Sequence, residues 1–230
     1  MPPPMHVWYL AYGSNLSAAK FIHDRGITPI STAVVTVPGW TLVMDTAGVP
    51  YSEPAFASIT PAAEKSVQLV GIAYQLTPDM YRKVLASEGG GVAYAEIEVW
   101  AERITAGDKF PVRTLRTVLR REARPSARYM NLVRTGASES LPASYQAFLA
   151  KLPQYQPPDA PFPKLGATLF LAFWGPAMGA MEKITKANLK QHPGEVDLWV
   201  VGLARAMVVV MWMYHDYIHA PIWGRGDGMD

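Results

Sequence analysis

The chain has 230 residues, 50% hydrophobic and 17% charged, which excludes a disordered polymer. Lys plus Arg number 21 and Asp plus Glu 19, so the formal net charge of +2 gives no global case for nucleic-acid binding. The absence of cysteine removes disulfides, cysteine-ligated zinc, iron–sulfur clusters and thiol catalysis.

The opening Met1-Pro2-Pro3-Pro4-Met5-His6 has neither a basic stretch nor a long apolar one. It does not read as a secretory leader, and the expected compartment is the cytoplasm. Composition shifts near residue 156. Residues 1–155 alternate short apolar runs with turns, and residues 156–230 begin Pro-rich and continue into two long apolar runs. Strands are expected at His6–Ala11, Ala33–Val37, Thr41–Met44, Val67–Tyr74 and Ala93–Trp100, each rich in β-formers and bounded by turn residues. Thr77 reads as the cap of a helix over Pro78–Ala86, which stops at Gly89-Gly90-Gly91. A second helix is expected over Pro142–Lys151, with Tyr145, Phe148, Leu149 and Leu152 on one face. The strands lie too close together for repeated βαβ units, so the fold class is α+β with an antiparallel sheet or barrel.

Three stretches can carry chemistry. In the first, the strand ending Tyr9-Leu10-Ala11 runs into Tyr12-Gly13-Ser14-Asn15-Leu16. Gly13 leaves amides uncovered, and Ser14 or Asn15 can cap a helix starting near Leu16, where an anion or an oxyanion could sit. In the second, Glu88 follows a helix and precedes three glycines, so a small substrate can approach its carboxylate; a negative charge at a helix C-terminus also opposes the helix dipole. In the third, Pro125-Ser126-Ala127-Arg128-Tyr129 reads as a loop in which Tyr129 can donate to a carboxylate. Each alone is equally well a turn, a solvated helix end or a packed aromatic.

Together, in this order, the three stretches resemble the γ-glutamylcyclotransferase family over residues 6 to about 155. The family's opening motif stands intact as Tyr12-Gly13-Ser14-Asn15-Leu16. Its glutamate–glycine pair matches Glu88-Gly89, with Tyr94 downstream. Its later pattern matches Pro125 to Tyr145. The chain looks most like the fungal branch, whose members carry an apolar C-terminal extension. The Trp-His-Gly-Gly stretch of many animal members is absent, and Glu53 to Ser58 occupies that region. Asn15 departs from the related glutathione-degrading group.

The resemblance implies a small mixed barrel with surrounding helices: a catalytic domain over 1–155 and a linker with helical extension over 156–230. It implies a lyase or acyltransferase-type cyclisation that releases 5-oxoproline, without cofactor or metal. Glu88 would be the catalytic acid/base. Tyr9, Leu10, Ala11, Tyr12, Gly13, Ser14, Asn15 and Tyr129 would hold the γ-glutamyl moiety. The substrate would be a γ-glutamyl amino acid or peptide, or a glutathione conjugate of sulfur-containing secondary metabolism. The alternatives are a binding protein for γ-glutamyl compounds or 5-oxoproline, and a membrane-associated interaction protein.

Lys109, Arg113, Arg116, Arg120, Arg121, Arg124, Arg128 and Arg134 read as a solvated face, with attraction of an anionic substrate as the other reading. His215 and His219 stand four apart but lack a third ligand at a known spacing, so no metal is expected. Arg225-Gly226-Asp227 reads as a chance tripeptide in a polar tail. Leu165–Met181 and Leu198–Tyr214, the latter with one charge at Arg205, are expected to be helices. They would pack on the domain, pair across a homodimer, or attach residues 165–214 to a membrane.

Overall fold

The computed structural model describes residues 6–17, 21–22, 26–192 and 194–229. Strands β1 (Val7–Ala11), β2 (Ser31–Val37), β3 (Trp40–Val49), β4 (Glu53–Pro61) and β5 (Leu69–Leu76) precede helix α1 (Pro78–Ser87). Strands β6 (Tyr94–Arg103) and β7 (Lys109–Thr117) follow, and then helices α2 (Ala127–Ser140), α3 (Ala143–Ala150), α4 (Pro161–Gln191) and α5 (Leu198–Tyr214). A π-turn over His215–His219 and the short α6 (Ala220–Trp223) end the regular structure.

The fold is α+β, as the sequence indicates. Strands β1, β5, β2, β6 and β7 close a barrel in that order. Its neighbours run antiparallel except β1 and β7, which seal it in parallel at Tyr9 and Arg113. Strands β3 and β4 form a separate hairpin, with a register shift between Val43 and Thr46. The main core lies inside the barrel and under α1 to α3, around Leu10, Leu16, Leu76, Met130 and Leu149.

One expectation gains detail and one needs correcting. The basic stretch from Lys109 is strand β7, whose Val112, Thr114 and Leu115 are buried while Lys109 and Arg113 pair across with Glu102 and Glu96. The stretch around Tyr129 is not a loop. Ser126 accepts from the Tyr129 amide at 3.0 Å and caps α2, and Gly136 within that helix lets it press against Leu16 and Ser17.

The extension is helical and packs on the β3–β4 hairpin. Phe170 and Trp174 of α4 and Met211 and Trp212 of α5 share a core with Tyr51, Ala55 and Ala123. The last residues are no loose tail. Asp227 is fully buried and paired with Arg225, its carbonyl accepts from the Arg124 amide at 2.8 Å, and the Gly226 carbonyl accepts from the Tyr51 amide at 2.6 Å. The tripeptide read as chance is thus a clasp between the chain's end and the β3–β4 hairpin. Among the described residues, one helical stretch, Leu198–Trp223, is long and apolar enough to cross a membrane. Its outer stripe of Trp199, Leu203, Val210, Met213 and Tyr217 is exposed.

Candidate active site

The end of β1 leads directly into the site. Tyr9 lies in the strand, and Ser14, Asn15 and Leu16 form a single 3-10 turn closed by the Leu16 amide on the Gly13 carbonyl at 3.0 Å. Ser14 and Asn15 therefore sit inside the turn, and the helix expected to follow near Leu16 falls largely outside the described residues. Asn15 Nδ2 donates to the Tyr9 hydroxyl at 2.9 Å and to Glu88 Oε1 at 3.0 Å. The buried Asn15 Oδ1 has no partner.

Glu88 is half-buried at the C-cap of α1, its amide on the carbonyls of Val84 and Leu85 at 3.1 and 3.2 Å. The chain turns away at once through Gly89, Gly90 and Gly91, with φ of +85°, +56° and +96°. Glycine is the residue that takes such angles without strain, and the turn leaves the carboxylate on the inner side.

The opposite wall comes from β4, which the sequence reading missed. The register shift in the hairpin leaves Ala57 without a cross-strand partner. Its amide donates to the Tyr129 hydroxyl at 3.1 Å, and its carbonyl accepts from the Tyr94 hydroxyl at 3.1 Å and from Thr46 Oγ1 at 3.2 Å. The irregular backbone thus fixes both tyrosines. A Cβ on Gly13 would stand 2.9 Å from the Tyr129 oxygen, so glycine is needed there. Burial pushes the phenols of Tyr12, Tyr94 and Tyr129 above the ordinary tyrosine value. They remain protonated donors at neutral pH.

Tyr9, Tyr12, Gly13, Asn15, Glu88 and Tyr129 meet around a small cavity of about 30 Å³, closed by Ala57 and Leu115. Of the residues expected in the site, Leu10 and Ala11 are not brought there. Both are buried in the barrel wall and pair with Ala73 and Ile72 of β5. The small cavity shares Ser14, Glu88, Tyr94 and Tyr129 with a chamber of about 490 Å³. One side of that chamber belongs to the extension: Met178, Met181 and Leu189 of α4, and Met207 and Val208 of α5.

Other members of the basic cluster are spent on structure. Arg120 pairs with Asp45 at 2.5 Å, Arg121 with Asp216, and Arg134 donates to the carbonyls of Leu149 and Ala150. Arg128, held by Glu53 at 2.6 Å, is its member at the chamber. His215, Asp216 and Asp227 gather within 4.8 Å. However, Arg225 binds Asp227, Arg121 binds Asp216, and the Gly226 amide donates to His215 Nε2 at 3.2 Å, so protein groups already engage the would-be ligands.

Comparison with known proteins follows this geometry. The γ-glutamyl cyclotransferase aclK of Aspergillus oryzae is 43% identical, with 97% of this chain and 90% of that protein covered. The γ-glutamyl cyclotransferase gliK of Aspergillus fumigatus is 38% identical, with 96% and 89% covered. The chain belongs to the γ-glutamyl cyclotransferase family. It is accordingly an enzyme of cyclotransferase type. The family described as the AclK C-terminal domain matches residues 160–222, which covers α4, α5 and the π-turn. A solved γ-glutamyl cyclotransferase shares the fold with a TM-score of 0.56 at 23% identity, covering 68% of this chain and 91% of that one. An uncharacterised human protein does so with a TM-score of 0.57 at 24% identity, covering 68% and 92%.

Proposed function

We propose that this cyclotransferase releases 5-oxoproline from γ-glutamyl compounds whose leaving amine carries a bulky, largely apolar group, such as glutathione-derived conjugates, with Glu88 as acid and base. The observation that carries the proposal is the pairing of two cavities. A small polar one holds Glu88, and a methionine-lined chamber shares its wall.

The free α-amine of a γ-glutamyl compound reaches its own γ-carbonyl in a five-membered ring. Its ammonium form, with a reference pKa of roughly 8, must first lose a proton. Glu88 takes that proton, while the orphan Asn15 Oδ1 accepts a second N–H and aims the nitrogen. The N–C bond forms, and the carbonyl oxygen carries the charge. The neutral phenol of Tyr129, which accepts from the Ala57 amide and keeps its own proton to give, lies on this wall of the site beside Tyr94, whose proton goes to the Ala57 carbonyl. Glu88 returns the proton to the amide nitrogen and the old C–N bond breaks; the carboxylate so regenerated takes the extra proton from the new ring nitrogen and passes it to the departing amine, so that 5-oxoproline and an ammonium result. Because the nucleophile is already tethered, holding the cyclising conformer supplies much of the rate, with effective molarities of roughly 10⁵–10⁸ M for well-oriented cases.

The test offers a γ-glutamyl dipeptide, glutathione and a bulky glutathione S-conjugate to the wild type and to Glu88→Gln, with 5-oxoproline read by mass spectrometry. The expected order in kcat/KM is conjugate above glutathione above dipeptide, with loss of at least about 100-fold in Glu88→Gln. A preference for the dipeptide overturns the substrate class. Full turnover by Glu88→Gln overturns the role of Glu88.

A further inference from the structure

We propose that Arg205 is a positioning residue for Glu88, acting through the three-glycine loop, so that the C-terminal helices form part of the catalytic machinery as well as a pocket wall. The inference rests on the assignment of Glu88 as acid and base.

Arg205 is the one charge in an otherwise apolar helix, and the structure accounts for it. Its Nε donates to the Val92 carbonyl at 3.0 Å and its Nη2 to the Gly91 carbonyl at 2.8 Å, across 113 and 114 positions of sequence. Those carbonyls end the loop that begins at Glu88. The same loop is pressed from a second side. A Cβ on Gly90 would lie 2.6 Å from Val196 Cγ2 and 2.9 Å from Leu189 Cδ2. Val196 is held in turn by the joint between α4 and α5, where Asn188 Nδ2 donates to Asp197 Oδ2 at 2.8 Å and Asn188 Oδ1 accepts from the Asp197 amide at 2.8 Å.

The loop needs such support. Three successive glycines have no side chains to pack and lose the most backbone freedom when ordered. Glu88 is the cap residue from which they depart, so their wander is its wander. A catalytic group displaced by about 1 Å can cost about 100-fold in rate. A guanidinium with a rigid fork of donors fits two adjacent carbonyls, which an ammonium cannot match in full.

The experiment uses the full chain and a γ-glutamyl dipeptide, whose small leaving group does not fill the chamber. Steady-state 5-oxoproline formation and amide hydrogen exchange over Gly89–Ala93 are measured for the wild type, Arg205→Gln and Arg205→Lys. Arg205→Gln is expected to lower kcat at least about tenfold with KM within about twofold, and to speed exchange in the loop. Arg205→Lys should recover part of both effects. A protected loop and kcat within about twofold in Arg205→Gln overturn the proposal. Glu88→Gln run alongside separates the two readings. If it keeps full turnover, the acid/base assignment fails, while the exchange data still report whether Arg205 orders the loop.

Two glycine variants cover the case in which Arg205→Gln does not fold. Backbone preference alone makes alanine worse at Gly91, φ +96°, than at Gly90, φ +56°. Packing against Val196 and Leu189 reverses that order, since a Cβ at Gly91 meets nothing within 4 Å. Gly90→Ala should therefore depress kcat more than Gly91→Ala, and the opposite order overturns the proposal.

Discussion

Replacing Tyr129 by phenylalanine removes one oxygen and leaves the ring in place. That oxygen accepts the Ala57 amide at 3.1 Å. Ala57 is buried and lies in the register shift of the β3–β4 hairpin, so no neighbouring strand can take over. A buried amide left without an acceptor costs about 1–3 kcal/mol. For a chain of this size that is a fall of about 2–12 °C in Tm. The ring still packs edge-on to Phe56, 5.0 Å between centroids, so the cavity keeps its walls. The assays are thermal unfolding by circular dichroism and KM for a γ-glutamyl dipeptide, which should rise at least about tenfold through the lost donor. A Tm within about 1 °C of the wild type would refute the claim that Tyr129 completes the irregular strand.

Three other outcomes follow from the same geometry. Met207→Trp fills part of the 490 Å³ chamber and should raise KM for a bulky S-conjugate about tenfold, leaving the dipeptide within about twofold, as competition kinetics would report. Asp227→Ala removes the buried partner of Arg225 and loosens the clasp on Tyr51, at about 3 kcal/mol in urea unfolding. Burial raises the folded-state pKa of Tyr12, Tyr74, Tyr81 and Tyr94 above 10. Their unfolded forms ionise first, so their stabilising contribution is complete below pH 10 and is lost as pH rises beyond it. Tm measured from pH 7 to 11 should fall steeply only above 10, with ionised-tyrosine absorbance rising at the same midpoint.

Much of the site was legible because its chemistry is local in sequence. Tyr12 to Leu16 is a strand end, a tight turn and two polar side chains, and Glu88 with its glycines is a helix end; each can be read from neighbours alone. What stayed hidden depends on contacts between distant residues. Nothing near Ala57 says that its amide will serve Tyr129, 72 positions away. Strand β4 opens with Glu53-Pro54, and a proline weakens the signal of a strand, while β7 was masked by arginines that alternate with its buried face. Helix α2 carries Gly136, which lowers its helical signal for the sake of close packing on Leu16. The two apolar runs were visible as helices, but their partner surface around Tyr51 and Ala123 was not.

The division of labour along the chain has an evolutionary consequence. The residues around the small cavity all come from positions 9 to 129, and the far wall of the chamber comes from positions 178 to 208. Selection can therefore redraw what the enzyme accepts at the methionines of α4 and α5, which tolerate exchange, provided that Arg205 and the Asn188–Asp197 joint are kept. A duplicated gene diverging only at those methionines would meet a new substrate with its old chemistry intact.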